Sequence, residues 1–233
     1  MPTLPGMSGR ILFINPNSST ACGAGIEAAL EPFRAPGLPA FEVVSLPEGP
    51  PAIYSWGDWF SAAGPILACI AREEARTEAF VIACASDPAL PAAREATRRP
   101  VFGMFSSAVL QALALAERFG VIAIVSASVA RHALALRQLG VEGRLAAELP
   151  LDVTMETLLD PVAVRARMIA AGRELVARGA GAVVLGCAGM AHHRTAIEQA
   201  IGVPVVEPAQ AAAALALSRV LALRGAALER AAE

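Results

Sequence analysis

The sequence has few of the residues that bind metals or stack on nucleic-acid bases. Its 233 residues include 3 His and 4 Cys, and aromatic side chains make up only 5% of the chain. It has no Cys-x-x-Cys pair and no group of His and Cys at the spacing of zinc ligands. Lys and Arg number 19 against 21 Asp and Glu, and no basic patch interleaves with aromatics. These shortages predict a protein with no metal site and no nucleic-acid partner.

Long uninterrupted apolar runs are absent as well. Hydrophobic residues make up 55% of the sequence, yet no run of about 18 apolar residues lacks a charged residue or a helix breaker. The segment from Met1 to Arg10 contains no apolar stretch of signal-peptide length. Without such a signal, the cysteines are best interpreted as reduced thiols. We therefore expect a cytoplasmic protein with no membrane partner, in which a cysteine can act as a catalyst.

The motifs of nucleotide-binding enzymes and serine hydrolases are also missing. There is no Gly-x-Gly-x-x-Gly, no Gly-x-x-x-x-Gly-Lys and no Gly-x-Ser-x-Gly, so the sequence offers neither a phosphate-binding loop nor a nucleophilic serine turn. We expect an enzyme that needs no cofactor, acts on a small molecule and forms a homo-oligomer.

Short apolar runs alternate with alanine-rich segments of helical periodicity. Apolar runs without alternation are typical of parallel strands buried on both faces, and the segments between them are typical of covering helices. This order predicts an α/β protein. The predicted strands are Ile11–Ile14, Phe41–Leu46, Phe80–Ala83, Val101–Met104, Val121–Val125, Ala182–Leu185 and Val203–Val206, and the clearest helical segments are Ala62–Arg76, Val129–Leu139, Val162–Arg178 and Ala209–Arg224.

A strand-and-cysteine unit occurs twice in the chain. Residues 79–86 read A-F-V-I-A-C-A-S and residues 182–189 read A-V-V-L-G-C-A-G, and a Pro-Val step follows each copy. The repeat predicts two pseudosymmetric lobes, each a parallel sheet flanked by helices, with the active site in the cleft between them. We place the first lobe at residues 1–98 and 208–233 and the second at residues 99–207.

The repeat puts Cys84 and Cys187 at equivalent strand ends, one on each wall of the cleft. Either cysteine alone is more typical of core packing, but the matched contexts favour catalysis. A thiol with a pKa of about 8.5 can exchange a proton near neutral pH, and a helix N-terminus behind the strand lowers that pKa. One thiolate and one thiol can racemise a carbon next to a carbonyl. The small residues after each cysteine offer backbone N–H groups to an enolate-like oxygen: Ala85 and Ser86, and Ala188 and Gly189.

Polar residues near these strand ends have two interpretations each. Asn15 and Asn17 follow the first strand, where they either bind the substrate or form an Asx turn that caps the next helix. His192 either faces the cleft or lies in an ordinary helical turn. All three are retained as candidate substrate-binding residues.

For the remaining residues of interest, a role in folding or packing is the first interpretation. Asp87 is predicted to cap the helix after the first cysteine, with a proline in its first turn. The aromatic segment Tyr54–Phe60 either shapes the substrate pocket or forms an interface. Cys69 is predicted to be a core residue. Cys22 follows the loop after the first strand and either borders the cleft or, as is more typical, packs in the core.

Three motifs carry a family resemblance. They read I-L-F-I-N-P-N-S-S at residues 11–19, V-I-A-C-A-S-D-P-A at 81–89 and V-V-L-G-C-A-G-M at 183–190. With them, the chain resembles the hydantoin racemases of the aspartate/glutamate racemase superfamily. The resemblance implies a cofactor-independent racemase with two pseudosymmetric lobes, Cys84 and Cys187 as the acid and base, and Asn15 near the substrate.

One departure from the family bears on the substrate. Ala123 and Ile124 occur where the family usually has polar Thr residues. This predicts an apolar pocket and a preference for 5-substituted hydantoins with aromatic or large aliphatic substituents. Allantoin should be poorer because of its polar ureido arm, and aspartate and glutamate because they carry a charge that the predicted lining cannot pair. The alternatives are an enzyme of the same superfamily that resembles maleate isomerase or a decarboxylase, and a non-catalytic module that binds a small molecule.

Overall fold

Two parallel four-stranded sheets form the framework of the protein. The computed structural model describes residues 9–153, 157 and 161–232. The strand orders are β2-β1-β3-β4 and β6-β5-β7-β8, so the second sheet repeats the order of the first. This confirms the predicted α/β fold with two related halves. The strands are β1 (Arg10–Asn15), β2 (Ala40–Ser45), β3 (Thr77–Ile82), β4 (Val101–Gly103), β5 (Phe119–Ala123), β6 (Leu145–Pro150), β7 (Ala182–Leu185) and β8 (Val205–Val206).

Helices cover both sheets, and short 3-10 turns join several of them. The α-helices are α1 (Thr20–Leu30), α2 (Trp56–Ser61), α3 (Ala63–Glu73), α4 (Leu90–Ala96), α5 (Met104–Leu115), α6 (Val129–Leu139), α7 (Pro161–Ala177), α8 (Arg194–Ile201) and α9 (Pro208–Ala232).

The central strands explain why continuous apolar runs mark this fold. In β1, Ile11 and Phe13 pack into the core on one face of the sheet, and Leu12 and Ile14 pack into the core on the other. Successive side chains of a strand point to opposite faces. The middle of a strand that is buried on both faces must therefore be apolar at successive positions, as Ile11–Ile14 is.

The predicted boundary between the lobes needs one correction. We placed it at residue 99, but β4 begins at Val101 and pairs with β3, with Phe80 opposite Val101. The chain therefore leaves the first sheet only after Gly103. The error came from assigning Val101 to the second lobe although it ends the first strand-and-cysteine repeat, as Val205 ends the second.

The last helix returns to the first sheet. Ala209, Ala212 and Ala216 of α9 are buried in the same core cluster as Ile11 and Phe13. Its segment Pro208–Arg230 is long and apolar enough to span a membrane, with a mean hydropathy of 1.5. Length and composition are weak evidence for a span, because the core helix of a water-soluble protein passes the same test.

Candidate active site

A cavity of about 120 Å³ lies where the carboxyl ends of the central strands of both sheets meet. Cys84 comes two residues after β3 and Cys187 two residues after β7, and both line this cavity. The structure thus brings together the two thiols that the repeat pairs. The remaining lining residues are Asn17, Ser19, Cys22, Pro51, Ala52, Ile53, Tyr54, Ala83, Ala85, Ser86, Ile124, Ser128, Arg131, His132, Gly186 and Ala188.

Cys84 is surrounded by protein on all sides except the cavity. Its side chain keeps partial exposure through the cavity, but the enclosing atoms remove most of the water that would solvate a thiolate. Burial therefore raises the pKa of Cys84 to about 11. The backbone and hydroxyl of Ser86 act in the opposite direction, and the Ser86 Oγ lies 3.4 Å from the Cys84 Sγ. Cys84 is thus predominantly a thiol at neutral pH.

The prediction that a helix begins directly behind Cys84 is wrong. The chain makes a turn after the cysteine, with positive φ angles of 47° at Asp87 and 57° at Ala89. Helix α4 begins only at Leu90, with Ala89 at the N-cap position. A helix dipole acts mainly within its first turn, so this helix begins too far along the chain to offset the burial of the thiol.

Asp87 caps a different helix from the one predicted. Its carboxylate accepts hydrogen bonds from the backbone N–H groups of Phe105 (2.9 Å) and Ser106 (2.8 Å) and from the Ser106 hydroxyl (2.5 Å). These groups belong to the first turn of α5. Gly103 makes the approach possible, because a Cβ there would lie 2.3 Å from the Asp87 Cγ. Asp87 therefore fixes the Cys84 loop to the helix that connects the two sheets.

Cys187 is held by a close approach between two strand ends. A Cβ at Gly186 would lie 2.7 Å from the Ile122 carbonyl oxygen, so only glycine lets the chain after β7 pass this close to β5. Cys187 is the N-cap residue of the 3-10 helix Ala188–His193. The next residue, Ala188, lines the cavity. Gly189 lies in the same 3-10 helix.

Of the two candidate asparagines, Asn17 lines the cavity and Asn15 lies behind it. The Asn15 Nδ2 donates to the Asn17 Oδ1 (3.1 Å), the Ser19 carbonyl (3.2 Å) and the Ser45 Oγ (3.0 Å). Asn15 is fully buried, and these bonds hold the loop that presents Asn17. The Asn17 Nδ2 in turn contacts the Cys22 Sγ at 3.8 Å. Cys22 therefore borders the cavity, while Cys69 is buried in α3 as predicted.

His192 lies apart from the thiols. It is exposed and lines a different depression, beside Ala28 and Gln210.

The residues of the aromatic segment Tyr54–Phe60 lie in different surroundings. Tyr54 lines the cavity of the two cysteines, whereas the Trp59 Nε1 donates to the Ser86 carbonyl oxygen at 2.9 Å and Phe60 is 65% exposed.

A second cavity of about 200 Å³ adjoins the first. Ser86 and Arg131 line both cavities, so they mark the boundary between them. The second cavity is otherwise lined by Trp56, Trp59, Asp87, Leu90, Pro91, Arg94, Ser106, Leu134, Ala135, Gln138 and Leu139.

The sequence interpretation missed two polar residues of the first cavity, Arg131 and His132. Both lie in the first turn of α6, which follows β5, and both are almost completely buried. The His132 Nδ1 lies 2.5 Å from the Glu148 Oε1, and the ring stacks on Phe105 at 4.4 Å. In the tautomer with a proton on Nδ1, the Nδ1–H donates a hydrogen bond to the Glu148 carboxylate, which orients the ring. The sequence could have indicated both residues, because they follow the predicted strand Val121–Val125, and residues just after a parallel strand lie at the ligand-binding edge of the sheet.

Arg131 also corrects the expectation that the pocket cannot pair a charge. The predicted apolar residue Ile124 does line the cavity, but a guanidinium lies in the same wall. Ala123 is fully buried. As for metals, no group of three or more His, Cys, Asp and Glu side chains in the described ranges could hold an ion.

Comparisons with known proteins agree with this architecture. The chain is 35% identical over 216 residues to a hydantoin racemase from Paenarthrobacter aurescens, with 91% of each chain covered. It is 35% identical over 202 residues to a hydantoin racemase from Pseudomonas sp. (strain NS671), with 85% of this chain and 80% of the relative covered. An allantoin racemase structure from Klebsiella pneumoniae has 34% identity and a TM-score of 0.82, and the match covers 93% of this chain and 89% of that one. The family model for Asp/Glu/Hydantoin racemase matches residues 11–216, and the chain belongs to this family.

Proposed function

We propose that the protein is a cofactor-independent racemase of 5-substituted hydantoins or related cyclic ureides, with Cys84 and Cys187 as the two acid/base residues. The observation that carries the proposal is that both thiols line one cavity from equivalent positions of two related sheets. The relatives named hydantoin racemase and allantoin racemase support the substrate class.

The raised pKa of Cys84 supports separate roles for the two thiols. In the resting form, Cys84 carries its proton and acts as the acid, while Cys187 acts as the base. The Cys187 thiolate takes the proton from C5 of the substrate, and the electron pair moves onto the neighbouring carbonyl oxygen. Cys84 then donates its proton to the opposite face of C5. The enzyme finishes with Cys84 as thiolate and Cys187 as thiol, which a turnover in the reverse direction or proton exchange with water resets.

The other candidates take supporting roles in this proposal. Asn17 and the backbone of Ala85 and Ala188 contact the substrate, and Ser86 also acts on the Cys84 sulfur. Asn15 holds the loop that presents Asn17. Gly189 stays a candidate for substrate contact through its backbone, whereas the distance of His192 from the cavity argues for a structural role. A cytoplasmic location, where thiols stay reduced, and a homo-oligomeric state remain predictions.

Deuterium exchange tests the proposal. We expect Cys84→Ser and Cys187→Ser each to abolish racemisation of 5-benzylhydantoin, because inversion needs a proton donor and an acceptor on opposite faces. Each variant should still exchange the C5 proton of one enantiomer in D2O, since one thiol remains. Cys69→Ala is the matched control, because that cysteine is buried in α3 outside the cavity.

The outcomes separate the alternatives. Racemisation by Cys84→Ser at the rate of the unchanged enzyme would refute the two-base mechanism. Binding of hydantoins without any deuterium uptake would identify a non-catalytic module. Release of carbon dioxide from an arylmalonate would favour the decarboxylase alternative, and conversion of maleate to fumarate would favour the isomerase.

A further inference from the structure

Arg131 has the features of a residue that binds an anionic part of the substrate. We propose that its guanidinium recognises a carboxylate on the 5-substituent of the hydantoin, so that the preferred substrates are acidic 5-substituted hydantoins. This inference rests on the proposed function and specifies its substrate class.

The side chain of Arg131 is buried with its hydrogen-bonding capacity only partly used. Its exposed fraction is 2%. The Nη1 donates to the Ala127 carbonyl at 3.0 Å, and the guanidinium carbon lies 5.9 Å from the centre of the Trp56 ring. The buried Nε has no hydrogen-bond partner. An arginine offers five N–H donors, and a buried donor left without an acceptor is costly. The site therefore has unused donors at a cavity wall.

Arg131 forms no salt bridge with a carboxylate among the described residues, although the charge of Asp58 acts on it from a greater distance. The oxygens of the neighbouring carboxylates are bonded to other groups. Asp58 accepts from the backbone and hydroxyl of Ser55, Asp87 caps α5, and Glu148 pairs with His132. A buried cation without a directly bonded anion is unfavourable. An incoming carboxylate would provide that anion, with the planar fork of the guanidinium matched to its two oxygens.

The position of Arg131 assigns the carboxylate to the substituent and not to the ring. The reacting carbon has to lie in the first cavity, because both thiols are there. Arg131 lines both cavities, at the boundary where a substituent would pass into the second one. Arg94 and Gln138 also contribute polar side chains to the wall of the second cavity.

Binding to an inactive enzyme tests the inference separately from catalysis. The probe pair is 5-(carboxymethyl)hydantoin and its neutral isostere 5-(carbamoylmethyl)hydantoin, measured by calorimetry with the Cys84→Ser/Cys187→Ser double variant. We expect Arg131→Gln in that background to raise the Kd of the carboxylate at least tenfold and that of the amide less than twofold. Arg131→Lys should recover part of the affinity, since it keeps the charge but loses the fork. Arg137→Gln is the matched control, because Arg137 is an exposed arginine of the same helix.

Stability and exchange measurements complete the test. The melting temperature of each variant is measured as well. Arg131→Gln loses the hydrogen bond to Ala127 and the contact with Trp56, so the difference between the two probes, and not stability, decides the inference. An equal rise in the Kd of both probes would indicate that the guanidinium contacts the hydantoin ring, and would overturn the inference. An unchanged Kd for the carboxylate would overturn it as well. C5 deuterium exchange of both probes by the enzyme with both cysteines tests the proposed function independently: exchange without charge preference leaves that function standing and refutes only the role of Arg131.

Discussion

The pKa of Cys84 can be measured through the rate at which the thiol is alkylated, because only the thiolate attacks iodoacetamide at a useful rate. Burial raises this pKa from 9.0 to about 11. Each pH unit below the pKa lowers the thiolate fraction tenfold, so the folded protein should hold about a hundredfold less Cys84 thiolate at pH 8 than an unperturbed thiol would. The Cys187→Ser variant is the background, since it leaves Cys84 as the remaining cysteine of the proposed catalytic pair.

The assay follows alkylation of the Cys84 peptide by mass spectrometry from pH 7 to pH 11.5. The same peptide in urea-unfolded protein provides the reference, and the Cys22 and Cys69 peptides are quantified separately in each sample. Limited access to the cavity would slow alkylation by one factor at every pH, whereas a raised pKa moves the midpoint of the profile. The midpoint therefore distinguishes the electrostatic effect from the steric one.

Ser86→Ala sharpens the test. The Ser86 hydroxyl lies 3.4 Å from the Cys84 sulfur and lowers the pKa of the thiol. Removal of the hydroxyl should therefore move the midpoint to still higher pH. A Cys84 profile in the folded protein that levels off by pH 9 would refute the reasoning, and with it the assignment of Cys84 as the proton donor of the resting enzyme.

Two further predictions concern stability and are measured by urea unfolding. Asp87→Asn should lower the free energy of unfolding by about 1–3 kcal/mol, because the amide keeps only one of the two acceptor oxygens that serve three donors of α5. Asp152 is an exposed carboxylate that accepts two hydrogen bonds from Ser126; Asp152→Asn should cost less, and an equal cost would contradict the argument. Burial raises the pKa of Glu207 from 4.5 to about 7, so the folded state favours the protonated acid. The free energy of unfolding is therefore highest below pH 4.5 and falls by about 3 kcal/mol as the pH rises through 7. Glu207→Gln should remove this fall between pH 5 and pH 8. A pH dependence that is the same in the variant would contradict the assignment.

The strands could be predicted where burial on both faces forces a continuous apolar run. The strand that the sequence did not reveal is β6, Leu145–Pro150, which lies at the edge of the second sheet. All six of its residues are only partly buried as whole residues, so no apolar run forms. The Glu148 side chain is buried, but it pairs with His132. A terminal proline removes one backbone donor, which an edge strand can accommodate.

The site could be predicted only as far as the repeat extends. The equivalent contexts of Cys84 and Cys187 pair the thiols without any knowledge of packing. Arg131 lies in Val129–Leu139, a helix whose bounds the sequence predicted correctly. Whether its first turn faces the cavity or solvent depends on how the helix is rotated on the sheet, which contacts distant in sequence decide. The same limit applies to Asn15, whose strand-end position did not reveal that its amide bonds to neighbouring loop residues and does not line the cavity.

The fold is symmetric at the level of its sheets but not at the level of the two thiols. The strand order and the distance from strand end to cysteine are the same in both halves. After Cys84, however, the chain turns so that Asp87 reaches α5, while after Cys187 it enters a 3-10 helix directly. A racemase acts on two enantiomers that present their proton to opposite faces, so equivalent positions are what the chemistry needs. The surroundings of the two thiols, in contrast, differ. Burial raises the pKa of Cys84, and Ser86 in its own loop acts in the opposite direction. Divergence of the two loops therefore changes the surroundings of each cysteine while the repeated strands keep both in place.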